Sequence, residues 1–215
     1  MTFKEARRFP LHSFASTGAQ PPLKGRVCGE NALSKDSPAY YSVFRAGDGW
    51  AGVAGTGRRS VTNLLLPVPG KEEAVKRIRS LSGARGKNDR ALARAAGEIR
   101  GFLDGKITGF KTRPLLDGIG GFRRKCLVAA ASIPYGEVRT YAWVARRAGA
   151  PGAARAAGSA MAANPVPLII PCHRVVRSDG TPGEYSGPGG RGMKKRLIRM
   201  EKAVLHGRSV KSVTQ

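Results

Sequence analysis

Thr140-Tyr141-Ala142-Trp143-Val144-Ala145-Arg146-Arg147-Ala148-Gly149-Ala150-Pro151-Gly152-Ala153-Ala154-Arg155-Ala156-Ala157-Gly158-Ser159-Ala160-Met161-Ala162-Ala163-Asn164-Pro165 is the stretch on which the fold turns. Thr140 can accept a backbone N–H of the following turn, and Gly149 stands where a helix end needs a left-handed residue. The spacing therefore predicts a helix over Tyr141–Ala148. Pro151 suits the first turn of a second helix running to about Ala163, before Asn164-Pro165. Two short helices about a tight glycine-containing turn outline a helix-turn-helix. The second helix is unusual for a reader of sequence, because major-groove readout needs several long polar side chains. Arg155 is its only charged residue, and the remaining small surface suits close approach to a narrow minor groove. Arg155 could enter the base stack there. An Ala-rich helix packed between neighbours, with Arg155 snorkelling outward, fits the same residues.

Beyond Asn164-Pro165 comes the apolar run Leu168-Ile169-Ile170, then Pro171-Cys172-His173-Arg174-Val175-Val176. A cysteine in an apolar strand is usually an inert core residue whose thiol is pushed up by burial. Here His173 and Arg174 bring positive charge that favours the thiolate. Adjacent side chains on an extended chain point to opposite faces, so contact between Cys172 and His173 needs a bend or a bridging water. Further on, Met193–Leu205 reads as a helix with Leu197, Ile198, Val204 and Leu205 facing inward. Glu201 lies on that stripe and must find a partner, either a nearby Lys or Arg or His173 itself.

The chain has 215 residues, with 38 Lys and Arg against 14 Asp and Glu, a net charge of +24. Such an excess opposes compaction and favours a polyanionic partner. Residues 139–215 carry 14 Lys and Arg against Asp179, Glu184 and Glu201, so folded segments share the charge. Cys28, Cys126 and Cys172 lie far apart, which argues against a disulfide framework or a structural zinc site, and no metal is expected. No apolar run approaches a membrane span, and the opening Met1–Phe14 lacks a secretory core. The expectation is a cytoplasmic protein without a membrane association.

Residues 1–37 mix Pro, Gly, Ser and basic residues and read as a flexible lead. Tyr40–Phe44 and Trp50–Ala54 read as a hairpin about Asp48-Gly49, and Ser60–Leu66 as a third strand closed by Pro67. Helices are expected over Lys71–Leu81 and Asn88–Leu103, the latter with Leu92, Ala95, Ala96, Ile99, Phe102 and Leu103 on one stripe. Gly105–Gly121 is a connector, and Phe122–Ser132 a helix ended by Ile133-Pro134-Tyr135-Gly136. The division expected is a lead over 1–37, a small α+β unit over 38–112, a mainly helical unit over 113–205 and a tail over 206–215.

Ile170-Pro171-Cys172-His173-Arg174-Val175 resembles the signature of the O6-alkylguanine-DNA alkyltransferases, or methylated-DNA–protein-cysteine methyltransferases. Ile133–Val138, Thr140-Tyr141, Ala153–Ala156, Asn164-Pro165, Gly183–Gly187 and the Lys194…Leu197…Glu201 helix are similar to that family's blocks, in order and spacing. The resemblance implies a ribonuclease H-like first unit and a winged-helix-like second unit. It implies a DNA repair protein that flips alkylated guanine from duplex DNA and moves the alkyl group irreversibly onto Cys172. No cofactor and no obligate protein partner are implied, and the chain is expected to act as a monomer.

By the same resemblance, His173 is the base acting through a water, Glu201 orients it, and Asn164 braces the turn. Arg155 fills the gap left by the flipped base, with Ala154, Ala156 and Gly158 on the DNA face. Tyr141 crowds the target phosphate and can protonate the base. Met161, Pro167, Val175, Tyr185 and Ser186 line the base pocket. Two departures stand out: Pro188–Gly192 makes the loop before the last helix longer by two residues, and Ala162-Ala163 replaces a segment where an Arg is common. A related binding-only group lacks the acceptor cysteine, which is present here. The competing classes are a DNA-binding regulator without catalysis and a Cys/His hydrolase. The second is disfavoured because no separated His or oxyanion glycines accompany Cys172.

Overall fold

The computed structural model describes residues 40–56 and 60–207. The lead expected over 1–37, Cys28 and the tail from residue 208 lie outside the described residues. The first unit opens with β1 (Tyr40–Ala46) and β2 (Gly49–Gly55), antiparallel with Ala46 opposite Gly49. The turn is therefore Gly47-Asp48 and not Asp48-Gly49: Gly47 takes φ +58°, which a two-residue hairpin turn requires of its first residue. The expected third strand is broken into β3 (Ser60–Val61) and β4 (Asn63–Val68). Pro67 lies inside β4 instead of closing it. The pairing slips between Trp50 and Gly52, a bulge on an edge strand where a missing N–H costs little.

Next come α1 (Lys71–Ser82), β5 (Gly86–Lys87) and α2 (Asp89–Leu103). Strand β5, which no apolar pattern announces, pairs parallel to β1 and makes the sheet mixed, in the order β4-β2-β1-β5. The sheet is covered on both faces. Ala51, Val53 and Phe44 join the α2 side, whereas Ala54, Leu65 and Val68 pack with Ala74 and Ile78 of α1. Gly52 permits the second packing, because a Cβ there would lie 2.9 Å from that of Ile78. Asn88 caps α2 through the Ala91 N–H at 2.9 Å, and Leu92, Ala95, Ala96, Ile99 and Phe102 are buried as the periodicity predicts.

Within the connector, β6 (Arg113–Pro114) pairs with β3. The second unit then consists of α3 (Gly121–Ala131), β7 (Arg139–Thr140), α4 (Tyr141–Arg147), α5 (Ala154–Ala162), a 3-10 turn (Cys172–Arg174), β8 (Val175–Val176) and α6 (Gly190–Leu205). Thr140 caps α4 as expected, accepting the Trp143 N–H at 3.1 Å, and Gly149 follows it at φ +84°. Pro151 does not start α5. It sits in a turn with Gly152 at φ +88°, a backbone no helix allows, and the helix begins at Ala154. Helix α6 starts earlier than expected, so Gly190–Gly192 form its first turn and lengthen the helix, not the loop. Its inward stripe is Lys194, Leu197, Met200 and Glu201, with Ile198 and Val204 at the margin, while Leu205, expected inside, is 58% exposed.

One continuous core runs through both units, from Phe44 and Leu66 through Phe102 to Leu127, Ile170 and Leu197. A backbone hydrogen bond from Leu64 N–H to the Pro165 carbonyl, 2.8 Å, ties β4 to the segment leading to Cys172. Among the described residues no helix is long and apolar enough to cross a membrane, and no three His, Cys, Asp or Glu are grouped to hold a metal.

Candidate active site

The chain leaving α5 is folded back by Asn164. Its Oδ1 accepts the Val166 N–H at 3.1 Å, and its Nδ2 donates to the Ile170 carbonyl at 2.8 Å and to Cys172 Sγ at 3.1 Å. Between these contacts Leu168 takes φ +70°, uncommon for a branched residue, and is held there by complete burial. The next residues are not extended, as an apolar run would suggest. Cys172–Arg174 form a 3-10 turn, closed by Arg174 N–H to the Pro171 carbonyl at 2.9 Å. This bend sends Cys172 to a cleft and His173 to the interior.

His173 and Glu201 meet there: Nε2 lies 2.7 Å from Oε1. A carboxylate only accepts, so Nε2 carries the proton and Nδ1 holds the lone pair. That Nδ1 is buried without a partner among the described residues. Burial lowers the pKa of His173, outweighing the opposing pull of Glu201, so the ring is neutral and ready to accept a proton.

The charge on Glu201 is matched by Arg174, which the motif alone presents only as general positive charge beside the thiol. Arg174 Nε and Nη2 lie 3.0–3.1 Å from the two carboxylate oxygens, and Gly136 N–H donates to Oε2 at 2.9 Å. Burial raises the pKa of Glu201, but His173 and Arg174 more than reverse this and hold the carboxyl below its ordinary value. Both partners anticipated for Glu201, a basic residue and His173, are thus present together. Arg174 also donates to the Ile133 carbonyl at 2.7 Å and lies over the Tyr135 ring, tying the site to the turn after α3.

Cys172 is itself buried. Burial raises its pKa, opposed by the Asn164 hydrogen bond, the Lys194 charge and Tyr185. The resting pair is therefore a thiol beside a neutral imidazole, not the preformed thiolate that the flanking charges suggested. Lys194 has no role that the sequence motifs assign, since long cationic side chains of a helix normally read as solvated. Its Nζ donates to Tyr141 Oη at 3.0 Å, and burial pushes its pKa down to about 8. Burial and then the neighbouring Cys172 raise the Tyr141 phenol, so it keeps its proton. Gly183 touches Tyr141 so closely that a Cβ would lie 2.6 Å from Oη.

The cleft that Cys172 lines has a volume of about 750 Å³. Pro167, Tyr185 and Ser186 line it, and β4 and α1 form the opposite wall. Met161 and Val175 do not line it; both are buried in the core. The Tyr185 hydroxyl is buried without a partner among the described residues, while Ser186 Oγ donates to the Ala162 carbonyl at 2.6 Å. On α5, Ala157, Ala160 and Met161 face inward. Arg155 and Ala156 are exposed, with Ala154 and Gly158 half-exposed beside them. The helix is thus buried along one side and open along the side bearing Arg155.

A buried cysteine braced by an asparagine and followed by an imidazole–carboxylate pair, next to a helix-turn-helix, defines a class of cysteine-bearing DNA-binding folds. Residues 121–203 match the family model described as 6-O-methylguanine DNA methyltransferase, DNA binding domain. The methylated-DNA–protein-cysteine methyltransferase of Methanothermobacter thermautotrophicus is 45% identical over 118 residues, which are 54% of this chain and 65% of that protein. Its namesake in Mycolicibacterium paratuberculosis is 39% identical over 116 residues, 54% of this chain and 68% of that protein. The crystal structure of Mycobacterium tuberculosis O6-methylguanine methyltransferase matches with TM-score 0.63 and 31% identity, covering 77% of this chain and 93% of that one. A Mycobacterium tuberculosis structure in complex with DNA matches with TM-score 0.66 and 30% identity, over 82% of this chain and 99% of that one. The chain belongs to the methylated-DNA–protein-cysteine methyltransferase family.

Proposed function

We propose that this protein repairs duplex DNA by taking the alkyl group of O6-alkylguanine onto Cys172, once per molecule. The observation that carries the reading is Cys172 in an open cleft, hydrogen-bonded by Asn164 and backed by His173–Glu201. The target atom is inaccessible inside a duplex, so the nucleotide must be flipped. Arg155 on the open side of α5 takes its place in the stack, Ala154, Ala156 and Gly158 let the backbone approach, and Tyr141 crowds the phosphate.

His173 Nδ1 takes the Cys172 proton, by way of a water, and the imidazolium formed is stabilised by Glu201. The sulfur attacks the alkyl carbon in line, forming a thioether as the carbon–O6 bond breaks. Its electron pair passes to guanine, which is protonated by Tyr141 and leaves as the normal base. Pro167, Tyr185 and Ser186 hold the base, and the Tyr185 hydroxyl, buried beside the Cys172 thiol, is a donor suited to its polar edge. The units implied by the family, ribonuclease H-like over 38–112 and winged-helix-like over 113–205, carry the cleft between them, and the protein acts inside the cell as a monomer.

Intact mass after incubation with an O6-methylguanine duplex tests the reading: one methyl per chain is expected, mapping to Cys172. An unchanged mass with tight DNA binding would leave the regulator reading in place. Arg155→Ala should slow transfer from duplex DNA and leave transfer from free O6-alkylguanine nearly unchanged, because the free base needs no extrusion. Equal losses on both substrates would place Arg155 in the pocket or the fold.

A further inference from the structure

The mouth of the cleft carries cations from two separate elements. Arg123 projects from the first turn of α3, is exposed, and donates from Nη2 to the Ala163 carbonyl at the end of α5. That carbonyl belongs to the negative end of a helix, which attracts a cation but engages only one of the five guanidinium N–H donors. Across the cleft, α1 presents Lys76 and Arg77. Arg77 is neutralised by Glu73 at 2.6 Å, whereas Lys76 and Arg123 have no ion-pair partner among the described residues. Lys76 also borders a neighbouring hollow of about 550 Å³ with Lys71, Arg79, Arg85 and the single carboxylate Glu72, so a predominantly positive surface continues along α1. The adjacent α3 residues differ: Arg124 is turned inward to the Leu116 carbonyl, and Lys125 is exposed but does not line the cleft.

We infer that Lys76 and Arg123 form a cationic rim that holds the phosphate backbone of DNA at the cleft mouth, extending the DNA contact onto the first unit. The helix-turn-helix supports this need, since α5 has Arg155 as its only cation, at its start. Its far end, where the cleft opens on Cys172, has no cation of its own. Arg123 supplies one there from α3, and Lys76 supplies the opposite lip from α1. These are positioning contacts made by exposed side chains, and they lie partly outside the stretch matched by the DNA-binding family model.

The inference rests on the reading that the chain works on DNA, and the experiment separates the two. Affinity for an unmodified duplex is measured by fluorescence anisotropy from 50 to 200 mM salt for wild type, Arg123→Ala, Lys76→Ala, the double variant, Arg123→Lys and Lys125→Ala. Single-turnover transfer from an O6-methylguanine duplex and from the free alkylated base is measured alongside. Each rim substitution should lower the slope of log K against log salt by about 0.9, so that affinity falls about 3.5-fold less across this range. The double variant should lose about 1.8 in slope. Arg123→Lys should retain the wild-type slope, Lys125→Ala should change it little, and transfer from the free base should be unaffected throughout. Rim variants that behave like Lys125→Ala, or that lose free-base transfer equally, would overturn the rim. Wild type that binds duplex yet transfers nothing would remove the repair reading, while the slopes still score Lys76 and Arg123.

Discussion

Cys172→Ala is expected to abolish alkyl transfer completely and to leave duplex binding intact. Among the described residues Cys172 carries the only thiol that lines the cleft, and the exposed cations around it are untouched by its removal. Cys126 cannot substitute, because it lies wholly inside the core on α3 and does not line the cleft. The structural cost is small: the side chain shrinks by one atom, and Asn164 loses a sulfur contact but keeps its bonds to Ile170 and Val166. A lost hydrogen bond of this kind is worth about 1 kcal/mol. Intact mass with peptide mapping reads the result, and methyl found on Cys126 in the variant would overturn the assignment of the acceptor.

Glu201→Gln should produce the second-largest effect, and on two properties at once. Every group facing the carboxylate is a donor: His173, Arg174 and Gly136. An amide nitrogen must therefore meet an N–H whichever way it is placed, and the buried Arg174 charge loses its counter-ion. Breaking such a pair typically costs about 3–5 kcal/mol. The pH dependence gives the sign. Because the Glu201 carboxyl is held below its unfolded value, its contribution is full above that value, and it disappears as pH falls through the folded one. Denaturation midpoints of wild type and variant should differ most at neutral pH and converge in acid. A constant gap across that range would mean that charge pairing is not the cause.

The same substitution should slow transfer by the folded protein at neutral pH, since the imidazolium formed on His173 loses its stabilising charge. Raising the pH should recover part of the rate, because burial has left Cys172 a thiol and more thiolate forms without help. The wild-type rate should fall in acid as His173 takes up a proton, below the ordinary histidine value because its pKa is lowered. Superimposable pH–rate profiles would reduce the relay to Cys172 and His173 alone.

Much of this site is legible along the chain, and the reasons are local. Thr140 and Gly149 bound α4 through capping chemistry that depends only on neighbouring residues. The α2 stripe reports its own buried face. Cys172, His173 and Asn164 stand within nine residues of one another, so a short motif can carry them together. Glu201 declares itself as a carboxylate on an apolar stripe.

What the sequence by itself determined, then, is the order of the helices, the helix-turn-helix, the identity of the thiol and the presence of a carboxylate needing a partner. Tertiary structure decided the partners and the protonation states. Whether Glu201 served His173 or a basic residue could not be settled along the chain, because its three donors come from positions 28, 27 and 65 residues away. Lys194 became a buried neighbour of Tyr141 only when α6 packed against the Cys172–Arg174 turn, and the pKa of Cys172 rose because tertiary packing removed water from the thiol. Periodicity also failed at β5, at Pro67 within β4 and at Pro151 before α5, where pairing with distant strands or a left-handed glycine overrode local preference. Desolvation and long-range pairing are properties of the packed chain, and no window of sequence contains them.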